Sequence, residues 1–201
     1  MSTENDLDVS RETFEKLKAF AELVRKWNPK INLVSKDSLN DLWSRHILDS
    51  VQIFELVPGP GKWVDLGSGG GFPGIVISIL NQEERNFDVV MVESDQRKSA
   101  FLRTAIRELD LAAKVKTERI EELECLEADV LSARALADLT KLLGFAELHL
   151  KRGGIALFPK GQSWQREDLE ARQDWNYDLE TVTSKTNSDA AILKIKDIAR
   201  V

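Results

Sequence analysis

Residues 63–75 have the sequence Trp-Val-Asp-Leu-Gly-Ser-Gly-Gly-Gly-Phe-Pro-Gly-Ile, and this stretch decides the fold. Its first residues are typical of a short buried strand, the glycines of a sharp turn, and the apolar run Ile75–Leu80 of a helix. Strand, glycine turn and helix together predict a nucleotide-binding corner. Glycine permits positive φ and close approach of a ligand, and the helix start offers free N–H groups.

Two ligand patterns fit this corner. Gly69-x-Gly71-x-x-Gly74 matches the dinucleotide fingerprint, whereas Asp65-x-Gly67-x-Gly69-x-Gly71 matches the pattern for S-adenosylmethionine (SAM). We favour SAM, because a carboxylate aimed into the pocket would oppose a pyrophosphate but suits a ligand that carries an ammonium and a sulfonium group. A glycine-rich turn without a ligand is the remaining alternative.

The composition limits the class of protein. A chain of 201 residues predicts one α/β domain with an extension. No apolar run approaches the roughly 18 residues of a membrane span, and the first ten residues contain no signal-peptide core. The single cysteine, Cys125, cannot form an internal disulfide, and no His/Cys cluster has metal-ligand spacing. We therefore expect a cytoplasmic monomer with no metal site and no membrane partner.

The charge is unevenly distributed along the chain. The net charge of -6 argues against a protein that coats nucleic acid without specificity. The segment from Arg11 to Arg45, however, holds eight Lys/Arg against five Asp/Glu. This segment is the candidate for a local basic face.

Residues 1–57 are predicted to form a helical extension. Apolar residues recur at helical spacing after Ser10, a candidate N-cap, and Asn28-Pro29 is expected to stop this helix. A second helix is expected from about Ser38 to Leu56, after which a Pro-Gly-Pro-Gly run breaks the chain. The ligand-binding domain is expected to follow over residues 58–201.

After the glycine corner, strand and helix patterns alternate, which predicts a mostly parallel, Rossmann-like α/β sheet with helices on both faces. The tail instead shows two strand patterns without an intervening helix, which predict an antiparallel pair at the end of the sheet. The expected strands are 87–92, 114–117, 129–133, 153–159, 175–183 and 191–195, and the expected helices are 95–109 and 136–150.

The site should lie at the carboxyl ends of the parallel strands. Glu93 ends the second strand, where it suits the ribose hydroxyls, and its alternative is a solvated acid. Ile120-Glu121 follows the third strand, where an adenine edge would lie, although Glu121 also suits a helix N-terminus. Arg134 ends the fourth strand and faces the reaction centre, unless it forms only a structural ion pair.

Residues 132–136, Ser-Ala-Arg-Ala-Leu, exclude two reaction classes. They contain neither the Asn/Asp-Pro-Pro-aromatic turn of exocyclic-amine methyltransferases nor the cysteine nucleophile of pyrimidine C5 enzymes. They also contain no obvious general base. An acceptor that needs no deprotonation fits such a site, and guanine N7 is one, with catalysis by alignment alone.

The chain resembles the family of small-subunit ribosomal RNA guanine-N7 methyltransferases, also called glucose-inhibited division protein B. The resemblance implies 16S ribosomal RNA of the small subunit as the substrate, SAM as the methyl donor, and SAM contacts from Gly67, Phe72, Ile120, Glu121 and Arg134. The motifs that carry it are Asn32-Leu33-Val34-Ser35, Arg45-His46-x-x-Asp49-Ser50, the block Asp65–Gly74, Val92-Glu93-Ser94-x-x-Arg97-Lys98, Ser132-Ala133-Arg134-Ala135 and Phe158-Pro159-Lys160-Gly161.

The resemblance makes Arg45, His46 and Arg134 the candidate catalytic residues. Arg45 and Asp49 are expected on one helical face, where with His46 they line a lip over the methyl-donor pocket or only pin the extension to the sheet. The RNA is expected on the basic segment, and no DNA partner is expected. Two other classes stay open from the sequence alone: a methyltransferase for a small molecule or a protein, and a dinucleotide-binding oxidoreductase or non-catalytic binding module.

Overall fold

The structure, a computed structural model, describes residues 7–84 and 86–201, so the first six residues of the expected extension lie outside the described residues. The helices are α1 (Arg11–Ile31), α2 (Lys36–Asn40), a π-helix (Trp43–Leu48), α3 (Asp49–Glu55), α4 (Gly74–Glu84), α5 (Gln96–Glu108), a 3-10 helix (Ile120–Glu122), α6 (Leu139–His149) and α7 (Trp164–Ala171). The strands are β1 (Gly61–Leu66), β2 (Phe87–Val92), β3 (Ala113–Lys116), β4 (Ala128–Ala133), β5 (Leu150–Lys160), β6 (Trp175–Thr183) and β7 (Ala191–Arg200).

The strands form one seven-stranded sheet in the order β3-β2-β1-β4-β5-β7-β6. The first five strands in this order pair in parallel, and β7 pairs antiparallel with both β5 and β6. The predicted Rossmann-like sheet with an antiparallel C-terminal pair is therefore confirmed. The chain order reverses between β1 and β4, which is where ligands bind in open α/β sheets.

Two apolar cores cover the two faces of the sheet. Trp63 of β1 belongs to one core with Phe20 of α1 and Phe101 of α5, and all three are fully buried. Val64, the next residue of β1, belongs to the other core with Leu142 of α6, as the period-2 alternation of a strand requires. The extension therefore covers one face of the sheet and shares its core.

The first helix continues past its predicted end. It includes Pro29 and ends at Ile31, because a proline in the last turn removes only one backbone hydrogen bond. Asn32 then takes the left-handed conformation, and its N–H donates to the Asn28 carbonyl (3.0 Å). The Asn28 side chain accepts from the Val34 N–H (2.8 Å) and so orders the exit from the helix.

The single helix predicted over residues 38–56 is wrong, because the chain forms α2, a π-helix and α3 in succession. Arg45 and Asp49 nevertheless line one and the same cavity, as expected of residues on one helical face, but no ion pair joins them among the described residues. Arg45 lies 3.9 Å from the Asp41 carboxylate instead. π-Helical turns occur frequently at functional sites, and this one carries both Arg45 and His46.

Several elements in the C-terminal half differ from prediction, including β5, which begins at Leu150 and not at 153. Helix α6 begins at Leu139 and not at Leu136, because Asp138 caps it and Ala135 has a positive φ of 52°. Helix α7 was not predicted, and β7 continues to Arg200. In the described part of the chain, no helix combines the length and apolar character that a bilayer crossing requires.

Candidate active site

Three strand ends meet at one edge of the sheet. The last residues of β1 and β2 pair directly, as do those of β1 and β4. The residues that follow, Gly67, Glu93 and Arg134, therefore leave the sheet side by side. This edge carries two neighbouring cavities that share Ala135.

The first cavity has a volume of about 310 Å³ and lies over the ends of β1, β2 and β3. It brings together five of the predicted cofactor-binding residues. Its lining residues are Gly67, Gly69, Val92, Glu93, Ser94, Lys98, Glu118, Arg119, Ile120, Glu121, Ala135, Leu136, Ala137, Lys141 and Phe145.

Glu93 holds the glycine turn against the first cavity. One of its carboxylate oxygens accepts from the Gly69 N–H and the other from the Asp95 N–H, both at 2.8 Å. The residue is buried, with 8% of its surface exposed, so the alternative of a solvated acid is wrong. Each oxygen keeps a second lone pair, which leaves the carboxylate able to accept from ligand hydroxyls.

Two glycines of the turn have different functions in the first cavity. Gly67 has a φ of 65°, in the left-handed region that favours glycine, and a Cβ there would lie 2.6 Å from a Leu136 methyl group, which would have to move. Gly69 has a φ of 52°, but a Cβ there would meet no protein atom closer than 3.7 Å. The space at Gly69 is therefore open cavity, as ligand contact with bare backbone requires.

Asp65 lies beneath the turn and lines neither cavity. It is 1% exposed, and its carboxylate accepts from Ser132 Oγ (2.8 Å) and from the Gly74 N–H at the start of α4 (3.2 Å). The expectation that this carboxylate points into the pocket is wrong, because the first-turn N–H groups of α4 offer it a partner inside the fold. Burial raises the pKa of Asp65 to about 6, against the lowering effect of hydrogen bonds from Ser68, Ser132 and Gly74.

Gly71 and Phe72 also lie outside both cavities. A Cβ at Gly71 would lie 2.7 Å from Ile75 and 3.0 Å from Phe20, so this glycine allows the turn to pack on α1. The Phe72 ring is buried and lies against the His46 ring, with centroids 4.9 Å apart. These two residues therefore stabilise the site through packing with α1 and His46 and do not line a cavity.

Ile120 and Glu121 lie at the far end of the first cavity. The Ile120 carbonyl accepts from Nε2 of His149. The His149 side chain is fully buried, and this burial lowers its pKa. Glu121 lies 3.7 Å from Lys141. His149 was not predicted as a site residue, because a single histidine in a helical pattern gives no signal of its carbonyl partner.

The second cavity has a volume of about 850 Å³ and lies between the extension and the antiparallel end of the sheet. It brings together all three predicted catalytic candidates. Its lining residues are Arg45, His46, Asp49, Arg134, Ala135, Pro159, Lys160, Gly161, Glu167, Ser184, Thr186, Asn187, Ala190, Ala191 and Ile192.

Arg134 connects the end of β4 to the extension. Its guanidinium donates to the Arg45 carbonyl (3.2 Å) and to Nδ1 of His46 (2.5 Å), and it lies 3.9 Å from the Asp49 carboxylate. Burial lowers its pKa, while the carboxylates of Asp49 and Asp65 act in the opposite direction. The structural ion pair considered from the sequence is thus present, with Asp49 as the partner.

His46 is neutral in this arrangement. A guanidinium can only donate, so Nδ1 of His46 accepts and the proton is assigned to Nε2. Burial and the neighbouring charges of Arg134 and Arg45 lower the pKa of His46 to about 3. Nε2 is buried and has no hydrogen-bond partner among the described residues.

Lys160 and Glu167 close the second cavity on the side of β5. Lys160 Nζ donates to Glu167 and to the Ala137 carbonyl, both at 2.7 Å, and Glu167 also accepts from the Leu139 N–H (3.0 Å). This ion pair fixes the loop between β4 and α6. Lys160 belongs to one of the motifs that carry the family resemblance, whereas no motif in the sequence identified Glu167 as a site residue.

Two negative expectations concern metal and thiol chemistry. Within residues 7–84 and 86–201, no group of three or more His, Cys, Asp or Glu side chains is arranged to hold a metal ion. Cys125 is exposed and donates to Glu127 (3.2 Å), and it lines neither cavity. This geometry gives Cys125 no access to an acceptor base in either cavity.

Comparison with known proteins places the chain among ribosomal RNA methyltransferases. The family model GidB, described as rRNA small subunit methyltransferase G, matches residues 13–193. The ribosomal RNA small subunit methyltransferase G of Ruegeria pomeroyi is 61% identical over 98% of this chain and 97% of its own length. The protein of the same name from Paracoccus denitrificans is 51% identical over 94% and 97%.

Solved structures share the fold at low sequence identity. TYW2 of M. jannaschii, solved in complex with AdoMet, superposes with a TM-score of 0.60 at 14% identity and covers 86% of this chain and 80% of that chain. The fibrillarin/Nop5p complex gives 0.57 at 13% identity, over 76% and 81%. The family-model match and the relatives at 51–61% identity show that the chain belongs to the family described as rRNA small subunit methyltransferase G, and SAM is its methyl donor.

Proposed function

We propose that the chain transfers a methyl group from SAM to N7 of a guanine in 16S ribosomal RNA. The observation that supports this most directly is the pair of cavities that share Ala135, one formed around backbone and Glu93, the other lined by Arg45, His46 and Arg134. The first cavity takes the methyl donor, and the second takes the acceptor base.

The residues of the first cavity fit SAM. Gly67 and Gly69 expose backbone, Glu93 has unused acceptor capacity for ribose hydroxyls, and Ile120 gives an apolar surface for adenine. When bound, SAM supplies an electrophilic methyl group on a sulfonium sulfur. Asp65 lies beneath the glycine turn and accepts a hydrogen bond from the Gly74 N–H at the start of α4. This bond fixes the N-terminus of α4 and so stabilises the conformation of the turn.

Apart from Asp49, whose open carboxylate oxygen lies 3.9 Å from Arg134, the side chains that line the second cavity offer no free base, and this supports an acceptor that needs no deprotonation. His46 is a weak base because of its low pKa, and Lys160 and Glu167 are paired with each other. Asp65, whose pKa is raised to about 6, lies beneath the turn and lines neither cavity. Guanine N7 carries an exposed lone pair, so alignment with the methyl group suffices. We assign Arg45, His46 and Arg134 to positioning the base.

The test is methyl transfer from labelled SAM to RNA that lacks the modification. Three forms are compared: naked 16S ribosomal RNA, a partly assembled small subunit and the complete small subunit. The label should reside in one guanine, and chemical strand cleavage at N7-methylguanine should locate it. Labelled protein or labelled small molecules without labelled RNA would contradict the proposal, as would a label on an exocyclic amine.

The remaining features of the proposal concern partners. Residues 1–57 act as the RNA-facing extension, and residues 58–201 form the methyltransferase domain. The protein acts as a monomer on ribosomal RNA in the cytoplasm. It binds neither DNA nor membranes. The net charge of -6 argues against general affinity for nucleic acid. It supports binding that depends on the shape of the RNA and on a base turned out of its stack. Light scattering at assay concentration tests the monomer.

A further inference from the structure

Asp49 is fixed in place through one of its two carboxylate oxygens. Oδ1 accepts from the Thr186 hydroxyl (2.6 Å), from the Gln52 amide (2.7 Å) and from the Ser184 hydroxyl (3.3 Å). Gln52 lies one turn further along α3, whereas Ser184 and Thr186 come from the turn between β6 and β7. Three donors from two segments therefore hold this carboxylate in one orientation.

The other oxygen, Oδ2, is left open towards the second cavity. Its nearest cation is Arg134, whose Nη1 lies 3.9 Å away, too far for a hydrogen bond. Among residues 7–84 and 86–201, no donor makes a hydrogen bond to Oδ2, and 22% of the Asp49 side chain is exposed. The site thus contains a preorganised anionic acceptor whose lone pairs the protein does not use.

The other carboxylate of the cavity is already occupied. Glu167 accepts from Lys160, from the Leu139 N–H and from the Ser163 hydroxyl, through both of its oxygens. Asp49 is therefore the carboxylate of this cavity with an oxygen free for a ligand. It lines the second cavity and not the first, so a group bound to Oδ2 lies away from the methyl-donor side.

We propose that Asp49 selects the target base by accepting hydrogen bonds from the N1–H and N2–H₂ donors of guanine. These donors form the Watson–Crick edge, on the opposite side of the purine from N7, so the same pose presents N7 to the methyl donor. Adenine offers a lone pair at N1, which a carboxylate repels. The inference rests on the proposed function, since it assigns the second cavity to the acceptor base.

The test combines a change in the enzyme with a change in the base. Asp49→Ala and Asp49→Asn are compared with the wild type on ligated RNA that carries either guanosine or inosine at the mapped target position. Inosine lacks only the 2-amino group. The wild type should methylate guanosine with a kcat/KM roughly 10-fold above inosine, since a good base contact contributes about 1–3 kcal/mol. In Asp49→Ala this ratio should fall to near one, with unchanged SAM affinity.

Glu55→Gln is the matched control. Glu55 also lies on α3 and pairs with Lys185 of the same β6–β7 turn (2.5 Å), but it does not line the second cavity. It should keep the full preference for guanosine over inosine. If Asp49→Ala does not fold, as thermal melting will show, Asp49→Asn supplies the same comparison with the side-chain shape retained.

The outcomes separate this inference from the proposed function. No N7-methylguanine in wild-type reactions would contradict the proposed function itself. Normal wild-type methylation, with the same guanosine-to-inosine ratio in both Asp49 variants and the wild type, would overturn the assignment of Asp49 alone. A loss of rate on both bases by the same factor would also overturn it, because Asp49 would then act only by holding Arg134 or the β6–β7 turn.

Discussion

The two cavities share Ala135 but are built in different ways. The first is formed by the residues that directly follow β1, β2, β3 and β4, so backbone and a few side chains at consecutive strand ends define it. The second is formed by side chains from four segments that are far apart in the sequence: residues 45–49, 134–135, 159–167 and 184–192. One is a product of local motifs, and the other is a product of tertiary packing.

The two cavities also differ in the interactions that stabilise them. In the first cavity, Glu93 satisfies two backbone N–H groups, so the glycine turn is rigid before any ligand binds. In the second, Arg134 joins β4 to the extension through a carbonyl, an imidazole and a carboxylate. Removing one partner from a buried charge pair leaves the other uncompensated, so the second cavity depends on all its segments docking together.

The largest effect should come from Gly69→Asp, which fills the first cavity. The backbone φ of 52° suits aspartate better than most residues, but the side chain would enter open cavity beside Glu93. Steric exclusion and carboxylate repulsion should together abolish measurable SAM binding in calorimetry. Unchanged affinity of the folded variant would place the methyl donor elsewhere.

Gly161→Ala serves as the control for this change. Gly161 lies in the second cavity, where a Cβ would meet no atom within 4 Å and the φ is not in the left-handed region. The substitution should leave SAM affinity unchanged. The pair of variants therefore tests whether the methyl donor occupies the first cavity only.

Glu93→Ala should weaken SAM binding by roughly 1–3 kcal/mol, the value of charge-assisted hydrogen bonds to ribose hydroxyls. Glu93 is also buried against the Gly69 and Asp95 N–H groups. The free energy of unfolding should therefore also fall, by about 1–3 kcal/mol for buried donors left unsatisfied. Urea unfolding and calorimetry measure the two losses separately. Native SAM affinity in the variant would contradict the ribose assignment.

The sequence predicted the first cavity well because its signals are local. Glycine spacing, a strand-end acid and strand–helix alternation each depend on neighbouring residues. Asp65, Gly71 and Phe72 were exceptions, since none of them lines either cavity, and Arg134 lines only the second. For Asp65, the pattern gives its place at the strand end, but not that the Gly74 N–H and Ser132 satisfy its carboxylate beneath the turn.

The second cavity could be predicted from the strand pattern only at Arg134, which ends the fourth strand. Arg45 and His46 were identified from family motifs, because the π-helix that places them has no periodic signal of its own. The Ser184 and Thr186 hydroxyls lie in an ordinary polar turn, and their contact with Asp49 spans more than 130 positions of the chain. Pattern analysis carries no information on contacts of that range.

His46→Asn should change the acid sensitivity of the fold. The pKa of His46 falls from 6.5 to about 3 on folding, so the unfolded chain gains a proton first and stability is lost as the pH falls from about 6.5 towards 3. Asp65 acts the other way between about 6 and 3.8, because its raised pKa favours the folded state in acid. Asparagine can still accept from Arg134 but does not titrate. At pH 5 it should reduce the acid loss by on the order of 1 kcal/mol.

Urea unfolding of both proteins from pH 7.5 to 4 gives the measurement. His149 and Asp65 titrate in both proteins, so they act as internal controls and cancel in the difference between the two curves. Parallel curves would show that His46 is protonated equally in the folded and unfolded states. That result would contradict its neutral state in the second cavity.

The smallest effect is expected on the surface of the extension. Three cations of α1 are paired with acids on the same helix: Lys16 with Glu12, Lys18 with Glu15 and Arg25 with Glu22. Lys26 and Lys30 are exposed, and no ion pair involves them among the described residues. Two of the three cations of α1 without an ion pair among the described residues therefore lie at its C-terminal end, and the third, Arg11, lies at its start.

Lys26→Glu with Lys30→Glu should lower methylation about three- to tenfold at physiological salt and flatten its salt dependence, because about two phosphate contacts are lost. SAM affinity should stay constant, since neither residue lines the first cavity. The control compares single variants: Lys26→Glu and Lys196→Glu change the net charge equally, and Lys196 is an exposed residue of β7 with no ion pair among the described residues, so its substitution should have the smaller effect. Equal losses would indicate a net-charge effect. Unchanged methylation would make the extension a structural cover and place the RNA on the Arg97/Lys98 or Lys151/Arg152 side.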